Sequence, residues 1–168
     1  MNRTFETKAR LTVGDEGAIE GVAWPFGTPD RTGDIIVKGA FGAPSLPLPM
    51  LAFHRGDDPV GAWDAIEETD DGLVVKGRLL VDEVPRAREV LALVKAGAVR
   101  GLSIGFETKS MTPRRGGGRT ITALGLVEIS LVSVPAHPRA RITSAKSGGN
   151  ALRIADAINR AATALRAR

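Results

Sequence analysis

Two histidines, His54 and His137, are the only imidazoles in this sequence of 168 residues. His54 follows the apolar run 50–53 and precedes the polar residues 55–58, so a strand is predicted to end there. A general base needs such a position, packed on one side and open to substrate on the other. The pattern also fits a solvated histidine at a strand end. His54 is therefore a candidate base, and the alternative is a solvated histidine without a catalytic role.

Ser103 is the best candidate nucleophile. In the segment GLSIGF at 101–106, Leu102, Ile104 and Phe106 alternate with Ser103, which predicts a hydroxyl on the face opposite the large apolar side chains. The glycines two residues to either side are expected to leave space for a substrate backbone. A serine becomes nucleophilic only when a neighbouring base takes its proton. The alternative is a small residue on the polar face of a strand.

Glu128 lies in the apolar segment LVEISLV at 126–132 and needs a partner, because an unpaired buried charge is costly. Orienting a histidine would provide that partner, and so would an ion pair with Arg100. Ser130 and Ser133 are interpreted as packing or hydrogen-bonding residues, off the face of Glu128 or further along the chain.

Several other chemistries lack their residues. The absence of cysteine excludes disulfides and thiolate metal sites, and the two histidines lack the spacing of a zinc motif. The glycines at 116–118 lack the lysine and serine of a phosphate-binding loop. We therefore predict no metal and no cofactor.

Short strands are expected to position these residues, since 20 glycines and 10 prolines imply many turns. Strands are predicted over 4–13, 18–26, 60–81 (a hairpin around Gly72), 99–108 and 120–134, with a mobile basic loop at 112–119. A helix is predicted over 83–96, capped by Asp82 and ended by Gly97, with a buried stripe of Val84, Ala87, Val90, Leu91 and Val94. The prediction is a mostly-β (α+β) protein with one or two packed helices and a C-terminal amphipathic helix.

The basic excess is confined to the C-terminus. Seven basic residues and one acidic residue lie from Arg139 onward, whereas residues 1–138 carry 16 basic and 18 acidic groups. This division makes nucleic-acid binding an unfavoured interpretation, even with Arg114, Arg115 and Arg119 in the basic loop. We predict a main domain over 1–142, a linker over 143–150 and a basic helical tail over 151–168. Without a long apolar run or a signal sequence, the protein is expected to be cytoplasmic and not membrane-bound.

The ordered set of segments resembles the prohead serine proteases of tailed phages and phage-derived gene transfer agents. The similar stretches are GVAWPF at 21–26, Asp30 with Gly33 and Asp34, GAF at 39–41, MLAFH at 50–54, PVG at 59–61, GLVV at 72–75, KAG at 95–97, GLSIGF at 101–106, EISLV at 128–132 and PA at 135–136. The resemblance covers roughly 5–142. It implies an assemblin-like β-barrel, as in herpesvirus proteases.

The resemblance also implies residue roles. His54 would be the base, Ser103 the nucleophile and Glu128 the third member of the triad, with His137 as a rival because assemblins use a second histidine. Backbone N–H groups of Arg100 and Gly101 are weak candidates for the oxyanion site.

By the same resemblance, the substrate would be a capsid or scaffold segment inside the assembling procapsid, and self-cleavage and a homodimer are further expectations. The basic tail would dock on an acidic scaffold or capsid surface, or serve only as a solubilising or dimer-packing helix. The rival hypothesis is a catalytically inactive capsid-assembly factor of the same fold.

Overall fold

Strands account for half of residues 16–145, which are the residues that the computed structural model describes. The elements are β1 (Ala18–Pro25), β2 (Ile35–Ile36), β3 (Leu48–Ala52), β4 (Pro59–Glu68), β5 (Gly72–Leu79), α1 (Pro85–Lys95), β6 (Gly101–Pro113), β7 (Arg119–Val132) and β8 (Arg141–Ala145). This composition confirms the predicted mostly-β class with a packed helix.

Seven strands close into a barrel. The order is β7-β3-β4-β5-β1-β8-β6, and β6 then pairs with β7. The short β2 runs parallel to the start of β7, and β3 runs parallel to its end, so both use the same edge of β7. Closure pairs the sheet edges that would otherwise be open. The long strand β7 is thereby paired with three other strands, β2, β3 and β6.

The barrel interior is filled by large apolar side chains. Trp63 is fully buried, and its indole N–H donates to the carbonyl of Ile129 at 2.9 Å. Leu102, Ile129 and Leu131 belong to the same core. This packing fixes the middle of β7 from inside the barrel.

The predicted helix and the hairpin around Gly72 are confirmed with small differences. Helix α1 ends in a left-handed Gly97, and bonds from Gly97 N–H to Val94 O and from Ala98 N–H to Leu93 O close it as a Schellman motif. Asp82 does not cap it: the N-cap is Val84, with no side-chain bond. Its stripe points inward as predicted, with Ala87, Val90 and Leu91 buried and Val84 and Val94 packed against them.

Near the ends of the described residues one boundary differs from the prediction, and two predicted elements lie outside those residues. Between Ile19 and Val22 both edges of β1 are taken by β5 and β8, and the strand predicted at 4–13 lies outside the described residues. Strand β8 reaches Ala145, three residues into the predicted linker, because it pairs with β1. The predicted tail helix at 151–168 is likewise outside the described residues.

The basic loop between β6 and β7, which is predicted to be mobile, is anchored through Arg114 and Arg119 near its ends. Arg119 binds Asp34 through its guanidinium and its backbone N–H, and Arg114 donates to the carbonyl of Gly33. These bonds from Arg119 hold the pKa of Asp34 below its usual value. Two of the three arginines considered for nucleic-acid binding are therefore engaged within the protein.

No helix among residues 16–145 is long and apolar enough to cross a membrane.

Candidate active site

The candidate residues meet where β7 runs between β6 and β3. Ser103 on β6 lies directly opposite Ser130 on β7, and Gly105 lies opposite Glu128. On the other side of β7, Leu51 of β3 is paired with Ser130. Since Leu102, Ile104, Ile129 and Leu131 fill the core, alternation places Ser103, Glu128 and Ser130 together on the outer face.

A β-bulge at Val127 sets this orientation. Leu126 is paired with Phe106 and Glu128 with Gly105, which leaves Val127 as an extra residue on β7. A bulge shifts the alternation of side chains by one position. It lets Ile129 point into the core while Glu128 and Ser130 turn outward.

His54 reaches this face because the chain turns sharply after β3. Phe53 and His54 both have left-handed backbones, with φ of 56° and 59°. Such conformations cost on the order of 1–3 kcal/mol each in non-glycine residues and collect at functional sites. The turn is held by bonds from Phe53 N–H to Leu131 O and from His54 N–H to Ser130 Oγ, both 3.1 Å.

A chain of hydrogen bonds joins His54, Glu128 and Ser130. His54 Nδ1 lies 2.7 Å from Glu128 Oε1, and Ser130 Oγ donates to Glu128 Oε2 at 2.6 Å. The side chain of Glu128 is 10% exposed and that of His54 is 44% exposed. The carboxylate is thus shielded while the ring reaches solvent. Arg100, the alternative partner predicted for Glu128, takes no part.

Ser103 has a free hydroxyl beside this chain. It is 4% exposed, whereas Ser130 is 0% exposed. Among residues 16–145 the only fully buried side-chain polar atom without a partner is Trp24 Nε1, so the unbonded Ser103 hydroxyl keeps contact with solvent. No hydrogen bond joins Ser103 to His54 in the described residues. Catalytic hydrogen bonds often form only when substrate is bound.

The glycines two residues to either side of Ser103 make room for other side chains of the protein, which corrects the expectation that they leave space for a substrate backbone. A Cβ atom at Gly105 would lie 2.9 Å from Cγ and 3.0 Å from Cδ of Glu128. A Cβ atom at Gly101 would lie 2.8 Å from the ring of Pro135. Gly105 therefore makes room for the Glu128 side chain, and Gly101 makes room for Pro135.

The backbone around Gly101 offers little for an oxyanion. Gly101 is paired with Val132 on one side and with Arg141 on the other, so its polar groups face neighbouring strands. The carbonyl of Arg100 accepts from Ile142 N–H at 2.9 Å. The oxyanion role of Arg100 and Gly101 stays a prediction that these contacts do not support.

His137 is buried elsewhere. Arg139 N–H donates to its Nδ1 at 3.2 Å, so its Nε2–H donates to the carbonyl of Thr28, also at 3.2 Å. Its ring packs edge-on against Trp24 with centroids 5.1 Å apart. Both ring nitrogens are thus used away from His54, and the structure brings Glu128, not the rival His137, to that ring.

The burial of His137 predicts a pH-dependent stability. Burial lowers the pKa of His137 below its usual 6.5. The unfolded chain then binds the extra proton first, so stability is complete above about pH 6.5 and falls, by up to about 1.4 kcal/mol per unit, as pH drops toward the lowered value. Urea unfolding at pH 7.5 and 5.5 should show a smaller pH effect in His137→Gln than in the wild type. Equal pH effects in both proteins would contradict this.

Among residues 16–145, no group of three or more histidine and acidic side chains is arranged to hold a metal ion.

Ser130 is the contact that sequence reasoning misplaced. It shares the parity of Glu128, two residues away, and that spacing on one strand is the signal that could have revealed it.

Comparisons with known proteins point in one direction. A family model described as caudovirus prohead serine protease matches residues 3–153. The capsid polyprotein of Pseudomonas phage PAJU2 is 36% identical over 154 residues, which are 87% of this chain and 23% of that protein. The prohead protease of Enterobacteria phage HK97 is 34% identical over 152 residues, 84% of this chain and 66% of that protein. The chain thus spans less than two thirds of either relative.

The fold is also similar to that of a solved structure. It is a crystal structure of KSHV protease in complex with a hexapeptide phosphonate inhibitor, at a TM-score of 0.47 and 14% identity, covering 74% of this chain and 63% of that one. The family match itself includes β3, β6 and β7, which carry the residues of the candidate site.

Proposed function

Because this chain belongs to the caudovirus prohead serine protease family, we propose that it is a serine endopeptidase with Ser103 as nucleophile, His54 as general base and Glu128 as the carboxylate that orients the base. The observation that carries the proposal is the 2.7 Å contact between His54 Nδ1 and Glu128 Oε1, on the face that also holds Ser103. A nucleophile, a base and an orienting acid on one face are the parts of a hydrolytic triad.

The contact with Glu128 determines which ring nitrogen of His54 does the chemistry. An ionised carboxylate accepts from Nδ1–H, so Nε2 carries the lone pair and is the basic atom. Nε2 has no hydrogen-bond partner among residues 16–145. It is therefore available to the hydroxyl of Ser103, once substrate draws the two side chains together.

The reaction then follows from these positions. Ser103 Oγ attacks the scissile carbonyl while His54 Nε2 takes its proton, and the imidazolium returns that proton to the departing amine. Glu128 stabilises the imidazolium between these steps. Water, activated by the same nitrogen, hydrolyses the acyl-enzyme, and Ser103 regains its proton. The oxyanion that forms in this reaction has to be stabilised by hydrogen-bond donors, each of which lowers the free energy of the transition state by about 3 kcal/mol.

The proposed substrate is a segment of the capsid or scaffold protein, cleaved inside the assembling procapsid. Two relatives support it, because one is named a prohead protease and this chain matches a 23% portion of another named a capsid polyprotein. A protease-like portion within a capsid polyprotein also favours cleavage of its own chain. The alternative is an inactive assembly factor of the same fold, which predicts that Ser103→Ala leaves capsid processing unchanged.

The test is co-expression with the capsid protein encoded in the same genome, read by intact-mass spectrometry. We expect a shortened capsid protein with the wild type and an uncut one with Ser103→Ala. The matched control is Ser110→Ala, an exposed serine on the same strand whose hydroxyl accepts a hydrogen bond from Thr122. An uncut capsid protein with the wild type, or a cut one with Ser103→Ala, would refute the proposal.

Gly105→Ala tests whether the position of the Glu128 carboxylate matters. The new methyl group would overlap Glu128 and displace its contact with His54, and a shift of about 1 Å in a catalytic group costs roughly 100-fold in rate. We expect a loss of that order in capsid cleavage. Gly56→Ala is the control, since a Cβ atom there meets nothing within 4 Å. Similar rates in both variants would show that the carboxylate position is unimportant.

A further inference from the structure

Ser130 touches both the base and its carboxylate. Its Oγ accepts from the backbone N–H of His54 at 3.1 Å and donates to Glu128 Oε2 at 2.6 Å. The hydroxyl thus acts both as a hydrogen-bond acceptor and as a donor within the site. The residue is 0% exposed, so no water can replace these bonds without rearrangement.

Each of the two hydrogen bonds made by Ser130 restricts a different motion within the site. The bond to His54 N–H holds a left-handed backbone (φ 59°) that a histidine does not favour by itself. The bond to Glu128 fixes rotation of the carboxylate, so that Oε1 faces the ring while Oε2 is occupied. Without the hydroxyl, the ring and the carboxylate would each be free to turn.

From these contacts we propose that Ser130 is a positioning residue, which joins the backbone of His54 to the carboxylate of Glu128 and so holds the base in its reactive orientation. This inference rests on the proposed function. Ser130 does not act as a nucleophile: its proton goes to a carboxylate and not to an imidazole nitrogen, and the facing Ser103 is the hydroxyl that reaches solvent.

The experiment uses the purified full chain and a fluorophosphonate probe that phosphonylates activated serines with loss of fluoride, with saturation kinetics giving kinact and KI. In Ser130→Ala we expect kinact to fall about 10–100-fold, as for loss of a hydrogen bond to a charged group, with KI unchanged. Ser130→Thr keeps a hydroxyl at the same position and should retain most of kinact. Urea unfolding of each variant confirms that the labelled protein is folded.

The outcomes separate the two proposals. If the wild type is labelled on Ser103, as shown by peptide mapping, and Ser130→Ala reacts within twofold of it, only the positioning role fails. Equal losses in Ser130→Ala and Ser130→Thr would also refute a role for the hydroxyl. Labelling on Ser130 itself would overturn the inference and reassign the nucleophile. A wild type that neither takes the label nor cuts capsid protein would instead refute the proposed function.

Discussion

Alanine at Ser103 or at His54 is expected to slow capsid cleavage by about a millionfold, and alanine at both positions is expected to slow it no further. The nucleophile and its base act as one unit, because the hydroxyl is reactive only while the imidazole takes its proton. Removing either partner removes the whole unit, and the remaining catalysis comes from binding and oxyanion contacts alone.

The measurement is a double-variant cycle on the cleavage rate of purified capsid protein, with long incubations and mass detection for the slow variants. His137→Gln is the matched control for His54→Ala, since its ring is hydrogen-bonded to Thr28 and Arg139 and takes no part in the site. Independent losses that multiply in the double variant would show that Ser103 and His54 do not act together. A cleavage rate that His54→Ala leaves intact would assign the base to another group.

The strands and the face of Ser103 could be predicted from the sequence because both depend on local alternation. Leu102 and Ile104 identify the core side of β6, and Ser103 then has to lie on the other side. The hairpin around Gly72 and the buried stripe of α1 follow from patterns of the same kind. These features need no knowledge of which strand lies next to which.

The partners of Glu128 could not be predicted in this way, because they come from strand order and from a bulge. A carboxylate in an apolar strand needs a partner, but the sequence left His54 and Arg100 equally open. The structure decides it through the parallel pairing of β3 with β7, in which the last residue of β3, Ala52, is paired with Leu131. The bulge at Val127, which turns Glu128 outward, has no signature in a strand of apolar residues.

The glycines show a second limit. Glycine at 101 and 105 indicates that some group approaches the backbone closely, but a missing side chain does not reveal what fills the gap. At Gly105 the gap is filled by Glu128, from the opposite strand, and at Gly101 by Pro135. Only the register between β6 and β7 distinguishes an internal contact from an opening for substrate.

Glu128→Gln should lower the cleavage rate by about 10⁴, as expected when an isosteric amide selects the wrong histidine tautomer. Ser130 explains why the wrong tautomer would win. Its buried hydroxyl needs an acceptor, so the amide oxygen would face Ser130 and the amide nitrogen would face His54. Nδ1 would then have to accept, the proton would move to Nε2, and Nε2 could no longer take a proton from Ser103.

This reasoning makes Glu128→Gln and Ser130→Ala non-additive. Once the hydroxyl is gone, the amide is free to present its oxygen to Nδ1–H, so the double variant should be no slower than Glu128→Gln alone. ¹⁵N spectra of the two histidines give a direct check: His54 should carry its proton on Nε2 in Glu128→Gln, on Nδ1 in the wild type and largely on Nδ1 in the double variant. His137 is the internal reference, because Arg139 N–H keeps its proton on Nε2 in every variant. A His54 that keeps its proton on Nδ1 in Glu128→Gln would mean that the carboxylate acts by its charge rather than by selecting the tautomer.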